Sequence, residues 1–242
     1  MTWSIILAER NTRRVGIAVA TCFFAVGARV PSVEPGRGAL CSQALTNPLY
    51  GTRGRQLLRE GVGAADLVRL LTAPDEGRAH RQLHALGGDG KFAAHTGAAC
   101  VPWCGHWIGD EFSVAGNMLA GPEVIAETVR ELRAQASLPM TLRLIAALRA
   151  GEAAGGDKRG KQSAALLIWG TEEYSELDIR VDDHTDPLTE LARLEAVSRE
   201  RWTHFRQFLP TRANPSGIYD RAIIDARVAE SIARESRDQR KP

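Results

Sequence analysis

Several stretches of this chain combine polar side chains with glycine or proline in ways that a plain apolar core does not need. Asp182, Asp183, His184 and Asp186 cluster where a strand pattern gives way to a helix start. A carboxylate beside an imidazole can relay a proton or hold a metal. The same acids equally suit the positive end of the helix that follows. Upstream, Gly151-Glu-Ala-Ala-Gly-Gly-Asp-Lys-Arg-Gly-Lys-Gln-Ser-Ala-Ala165 is glycine-rich and basic. Such a loop can turn backbone N–H groups toward an anion. Asp157, Arg159, Gln162 and Ser163 are then candidates to hold a carboxylate or phosphate, with a solvated turn as the alternative. The spacing is not that of a Walker phosphate loop.

Further candidates lie earlier. Gln43-Ala-Leu-Thr-Asn-Pro-Leu-Tyr-Gly51 follows a buried-looking strand and precedes a helix. Gln43 and Asn47 can line a pocket at the strand end, or Asn47 can simply cap the helix. In Gly116-Asn-Met-Leu-Ala-Gly-Pro122, Asn117 can donate an amide to a developing oxyanion or satisfy nearby backbone groups. His95, Cys100, Cys104 and His106 invite a metal reading. The C-x3-C spacing without a matching second pair departs from zinc-ribbon patterns, so we expect free thiols and no metal.

These stretches need a frame. Apolar runs at 2–8 and 15–22 flank Arg10-Asn-Thr-Arg-Arg14 and read as a strand hairpin. A third strand is expected at 38–44. Leucines at helical spacing over 51–73, interrupted by Gly61 and Gly63, give two helices. Strands return at 82–87 and 91–95 around Gly87-Gly-Asp-Gly90, and again at 112–116. Pro122 opens one helix, and Pro139 opens another that Gly151 can end. Strands at 162–169 and 174–181 precede a helix begun by Asp186-Pro187. Strands and helices come in blocks, which favours antiparallel sheets covered by helix pairs over a parallel Rossmann-type sheet. Composition changes near residue 198, so a domain over 1–197 and a helical extension over 198–242 are expected.

Bulk properties narrow the function classes. The 242 residues are 44% hydrophobic and 25% charged, with net charge +2. That balance gives no electrostatic reason to expect nucleic acid or an anionic membrane as partner. No apolar run has the roughly 18–20 residues of a spanning helix. The amino-terminal stretch lacks the basic leader of a secretory signal. Four scattered cysteines suit reduced thiols, and a cytoplasmic location is expected.

The motifs together resemble the bacterial and archaeal family catalogued as domain of unknown function 1028. The resemblance rests on Thr2-x-Ser4, Ala25-Val-Gly27, Gln43-Ala44, Thr46-Asn-Pro48, Tyr50-Gly51, His95-Thr-Gly97, Gly116-Asn-Met-Leu-Ala-Gly121, Gly151 to Ala165 and Arg180-Val-Asp-Asp-His184. It runs over about residues 2–197. That family resembles N-terminal-nucleophile hydrolases, which implies an α+β fold, a four-layer αββα sandwich of two antiparallel sheets between helices.

In such hydrolases a leading Thr, Ser or Cys attacks an amide carbonyl, and its own α-amine serves as base. With an ordinary pKa of roughly 7.7–8.0, that amine is partly neutral near physiological pH. Removal of Met1 would give Thr2 this role. Ser4 shares its strand face. By the resemblance, Thr2 and Asn117 are the catalytic candidates, and Ser4, Gln43, Asn47, His95, Asp157, Arg159, Gln162, Ser163, Asp183 and His184 the substrate-binding ones. One departure is the absence of the lysine that many superfamily members place on the third strand; Arg37-Gly-Ala-Leu40 offers only arginine. The expected function is hydrolysis of a small amide, without a cofactor, by a homo-oligomer. The alternatives are a non-catalytic small-molecule-binding protein, or an assembly protein acting through the C-terminal helices.

Overall fold

The computed structural model describes residues 2–238. In chain order the elements are β1 (Thr2–Glu9), β2 (Arg14–Thr21), β3 (Pro31–Glu34), β4 (Gly38–Ala44), α1 (Pro48–Arg59), α2 (Ala64–Thr72), β5 (Arg81–Leu86), β6 (Phe92–Thr96), β7 (Gly105–Ile108), β8 (Phe112–Asn117), α3 (Glu123–Ala134), α4 (Met140–Ala153), β9 (Ser163–Trp169), β10 (Ser175–Val181), α5 (Pro187–Glu200), α6 (Trp202–Phe205) and α7 (Arg221–Asp238). They fall into two compact units, Met1–Leu191 and Ala192–Pro242. The division lies inside α5, upstream of the 197/198 boundary expected from composition.

Two antiparallel sheets organise the first unit. One has strand order β10–β9–β2–β1–β8–β7, the other β3–β4–β5–β6. Helices α1 and α2 cover the four-stranded sheet, α3 and α4 cover the six-stranded one, and the sheets face each other through β1, β4, β5 and β8. The result is the α+β sandwich expected from the block order. Alternation along β1 explains its double burial. Ile6 points between the sheets, packing with Ile17, Val19, Val33, Cys41 and Leu86. Trp3 points the other way, toward α4 at Gly151. Outside the four-stranded sheet, Leu40 and Leu83 meet Leu58, Leu67 and Leu71 of α1 and α2.

Two strands and one helix end differ from the sequence expectation. β3 and β7 are four-residue edge strands, too short for a periodic signal. β3 begins on Pro31, a residue tolerated at the start of an edge strand. Gly151 does not end α4; it lies inside the helix. A Cβ there would stand 2.5 Å from Thr128 Oγ1 and 3.0 Å from Trp3 Nε1. The glycine therefore permits close packing of α4 on α3 and β1. The Gly87–Gly90 turn joins β5 to β6 as expected, with Gly90 at φ +71°.

In the second unit, Phe208, Ile224 and Val228 form a small core with Phe205, Ile218 and Ile232 against it. His204 Nδ1 lies 2.9 Å from Ser231 Oγ. Among the described residues, no helix is long and apolar enough to cross a membrane.

Candidate functional site

Thr2 is the first residue of β1, paired with Asn117 of β8 in the sheet register. On its other side its Oγ1 donates to Thr21 Oγ1, 3.2 Å away at the end of β2. Both threonines line a cavity of about 520 Å³. The cavity sits where the ends of β1 and β2 meet the ends of β3 and β4. One wall is the segment after β2, with Phe23, Val26 and Arg29. The other is the β4–α1 connection and first turns of α1, with Ala44, Leu45, Asn47, Gly51 and Arg55.

Local sequence explains these walls. Asn47 Oδ1 accepts from Leu49 N at 3.1 Å, and Pro48 occupies the first helical turn, so α1 starts at the cavity. Asp75 receives Asn47 Nδ2, the Tyr50 hydroxyl and Arg81 Nε at 3.2, 2.8 and 3.0 Å. The Tyr50 hydroxyl, aided by Arg81, holds the Asp75 carboxyl well below the usual carboxylate range. Ala25 and Ala44 adopt left-handed backbone, with φ of 53° and 69°. Such conformations cost a non-glycine residue about 1–2 kcal/mol and gather at functional sites.

Behind the cavity runs a buried polar seam between the sheets. The Ser4 hydroxyl donates to Gln43 Oε1 at 2.6 Å. His84 Nε2 lies 2.8 Å from Ser4 Oγ, and His84 Nδ1 lies 2.7 Å from Ser113 Oγ. With the Ser4 proton engaged by Gln43, His84 carries its hydrogen on Nε2 and accepts from Ser113 at Nδ1. The Gln43 amide continues to Gln82 Oε1 at 2.8 Å, Ala115 O at 3.1 Å and Thr2 O at 3.4 Å. Gln82 Nε2 in turn donates to Gly116 O at 2.8 Å and Gly105 O at 3.0 Å. Burial, with His106 adding to it, lowers the His84 pKa to about 3. The ring is thus a neutral bridge. Burial also pushes the Cys41 thiol up to about 12, and Ser4 opposes that rise in part.

Of the residues singled out in the sequence, Thr2 and Asn47 line the cavity, while Ser4 and Gln43 stand behind it in the seam. Asn117 Nδ2 donates to Thr2 O at 3.4 Å and Gln82 Oε1 at 3.0 Å, so both its hydrogens are engaged. Asp157 is buried and accepts from Cys22 N and Arg159 N, each at 2.8 Å. It pins the glycine-rich loop to the end of β2. Arg159 reaches back to the same carboxylate at 3.3 Å. The Ser163 hydroxyl donates to Phe23 O and receives Val26 N. Gln162 Nε2 donates to Asp183 Oδ1 at 3.1 Å, and His184 Nδ1 accepts from Asp186 N at 2.9 Å. His95 Nε2 pairs with Arg78 O at 2.8 Å. None of these last residues lines the cavity. Among the described residues no cluster of His, Cys, Asp and Glu suits a metal ion.

The sequence reading missed Thr21, Arg29 and Arg55 at the cavity, and Gln82, His84 and Ser113 in the seam. Arg55 was within reach: it stands one turn after Gly51, on the helix face that the Asn47-Pro48 start turns toward the strand end.

Two facing antiparallel sheets between helix pairs, with a cavity at one end, define an α+β sandwich protein. The chain belongs to the family of unknown function DUF1028, whose family model matches residues 2–191. The crystal structure of protein SPO2555 from Silicibacter pomeroyi, of the same family, is similar at 30% identity with a TM-score of 0.81. The likeness covers 90% of this chain and 99% of that one. Among curated proteins, none matches the chain.

Proposed function

We propose that this chain is an N-terminal-nucleophile hydrolase of a small amide, with Thr2 as nucleophile once Met1 is removed. One observation carries the reading: the first residue of a central strand lines a substrate-sized cavity at the end of both sheets. Met1 itself lies outside the described residues. The neutral Thr2 α-amine takes the hydroxyl proton as Oγ1 attacks the amide carbonyl carbon. The C–N bond of the tetrahedral intermediate breaks, and the leaving amine departs with that proton. Water, deprotonated by the same α-amine, then attacks the Thr2 ester and releases a carboxylic acid. Thr21 orients the nucleophile through the 3.2 Å hydroxyl contact. Asn117 and Gln43 fix the Thr2 carbonyl, which makes Asn117 a positioning residue in this scheme rather than an oxyanion donor.

The test begins with intact mass, where loss of Met1 is the expected result. A screen of small amides on the processed protein should then give turnover that Thr2→Ala abolishes. Undiminished hydrolysis by Thr2→Ala would end the proposal.

A binding-only protein is the second reading, favoured by one observation. The cations lining the cavity, Arg29 and Arg55, are guanidinium groups, suited to holding an anion, and the lining includes no lysine. Ligand protection against thermal unfolding without turnover, unchanged in Thr2→Ala, would select it. The C-terminal unit leaves Tyr219 and Ile223 exposed, and we assign it to self-association. Sedimentation of a chain lacking 198–242 tests this. The described cysteines are free thiols, which is in keeping with a proposed cytoplasmic location.

A further inference from the structure

We infer that the cavity selects an amide carrying one carboxylate and one apolar group, such as an N-acyl amino acid. The inference rests on the hydrolase reading for its scissile bond, but not for its recognition chemistry. Arg29 and Arg55 both reach the lining, and that lining includes no Asp or Glu. Some arginines elsewhere in this chain are paired, such as Arg14 with Glu9 and Glu176, Arg81 with Asp75, and Arg143 with Glu111. Neither Arg29 nor Arg55 forms an ion pair with a described residue. Two uncompensated guanidinium groups at one concave site are suited to a planar, bidentate anion such as a carboxylate. The start of α1 on the same wall adds the positive end of a helix dipole.

The apolar part of the inference has its own support. Phe23 and Leu45 line the cavity while remaining 55% and 62% exposed. Phe24 and Leu49, in the same two chain segments but outside the lining, are 53% exposed each. Exposed apolar side chains gathered at a pocket mouth are the pattern of a ligand site. The Arg29 guanidinium carbon lies 6.0 Å from the Phe23 ring centroid, which sets charge and apolar surface side by side. Ser32, Ser42 and Thr46 supply hydroxyls to the same space.

The experiment uses the full-length Thr2→Ala chain, so that binding is read without turnover. N-benzoylglycine and its methyl ester are titrated by calorimetry at low and high salt. The acid is expected to bind at least about tenfold more tightly than the ester, with an advantage that shrinks as salt rises. Arg29→Gln and Arg55→Gln should each erase most of that advantage and leave the ester unchanged, while Phe23→Ser should weaken both. Equal affinity for acid and ester, binding of neither, or indifference to both arginine substitutions overturns the inference. Retained preference for the acid alongside absence of turnover by the unsubstituted chain would sink the hydrolase reading alone.

Discussion

Asn117 faces Thr2 across the β1–β8 ladder, and its side-chain amide turns back to donate to the Thr2 carbonyl at 3.4 Å. Gln43, from the opposite sheet, donates to the same oxygen at the same distance. The peptide plane of the leading strand residue is therefore held from both sheets. Replacing Gln43 by Leu leaves the Ser4 hydroxyl proton without its acceptor in a buried space, removes the side-chain donor to Ala115 O, and takes one of two side-chain donors from the Gln82 carbonyl and from Thr2 O. Leaving such groups unpaired should cost about 2–4 kcal/mol. Urea unfolding measures it; a loss below about 1 kcal/mol would show that the seam relaxes around the gap.

His84 makes stability depend on acid. Its pKa is lowered from 6.5 to about 3 in the folded chain. The unfolded chain therefore binds this proton first. Stability from the group is fully present above pH 6.5 and falls as pH drops toward about 3, by about 1.4 kcal/mol per pH unit. Chemical unfolding between pH 7 and 4 should show a shallower slope for His84→Gln than for the native chain, whatever its starting stability. Parallel slopes would exclude His84 as the source.

Asp157 anchors a loop rather than facing the cavity. Its carboxylate accepts Cys22 N and Arg159 N. Asp157→Ala removes both contacts and should cost roughly 1–3 kcal/mol. It should also speed proteolytic cleavage after Lys158, Arg159 or Lys161, since the glycines at 155, 156 and 160 then lose their tether. Unchanged cleavage kinetics would mean that the loop is held by other contacts.

At Gly151 two effects oppose each other. Alanine gains about 1 kcal/mol of helix propensity over glycine. Its Cβ, however, would meet Thr128 Oγ1 at 2.5 Å, and overpacking of this kind costs about 1–3 kcal/mol. Gly151→Ala should be destabilising, and pairing it with Thr128→Ala should restore part of the loss. A stabilised single variant in thermal melts would disprove the close packing.

Features set by neighbours in sequence could be read before the fold. The β1–β2 hairpin, the Gly87–Gly90 turn, the Asn47 cap and the Pro187 helix start all rest on residues a few positions apart. The seam does not. Gln82 and His84 alternate with apolar partners as any half-buried strand would, and only the facing sheet, through Ser4, Gln43 and Ser113, makes them internal. Expectations for Gln162, Ser163 and His184 met the same obstacle. Polar residues at a strand end can line a cavity or hold a neighbouring turn, and these close turns around Thr21, Phe23 and Asp186. The cavity walls come instead from 23–32 and 42–55.

The place of Thr2 on the cavity wall has a practical side. Whatever is joined to its nitrogen starts out beside the space a ligand must enter. A purification tag at the amino end would be tethered at that doorway and could mask binding altogether. Preparations meant for ligand discovery should leave that end untagged.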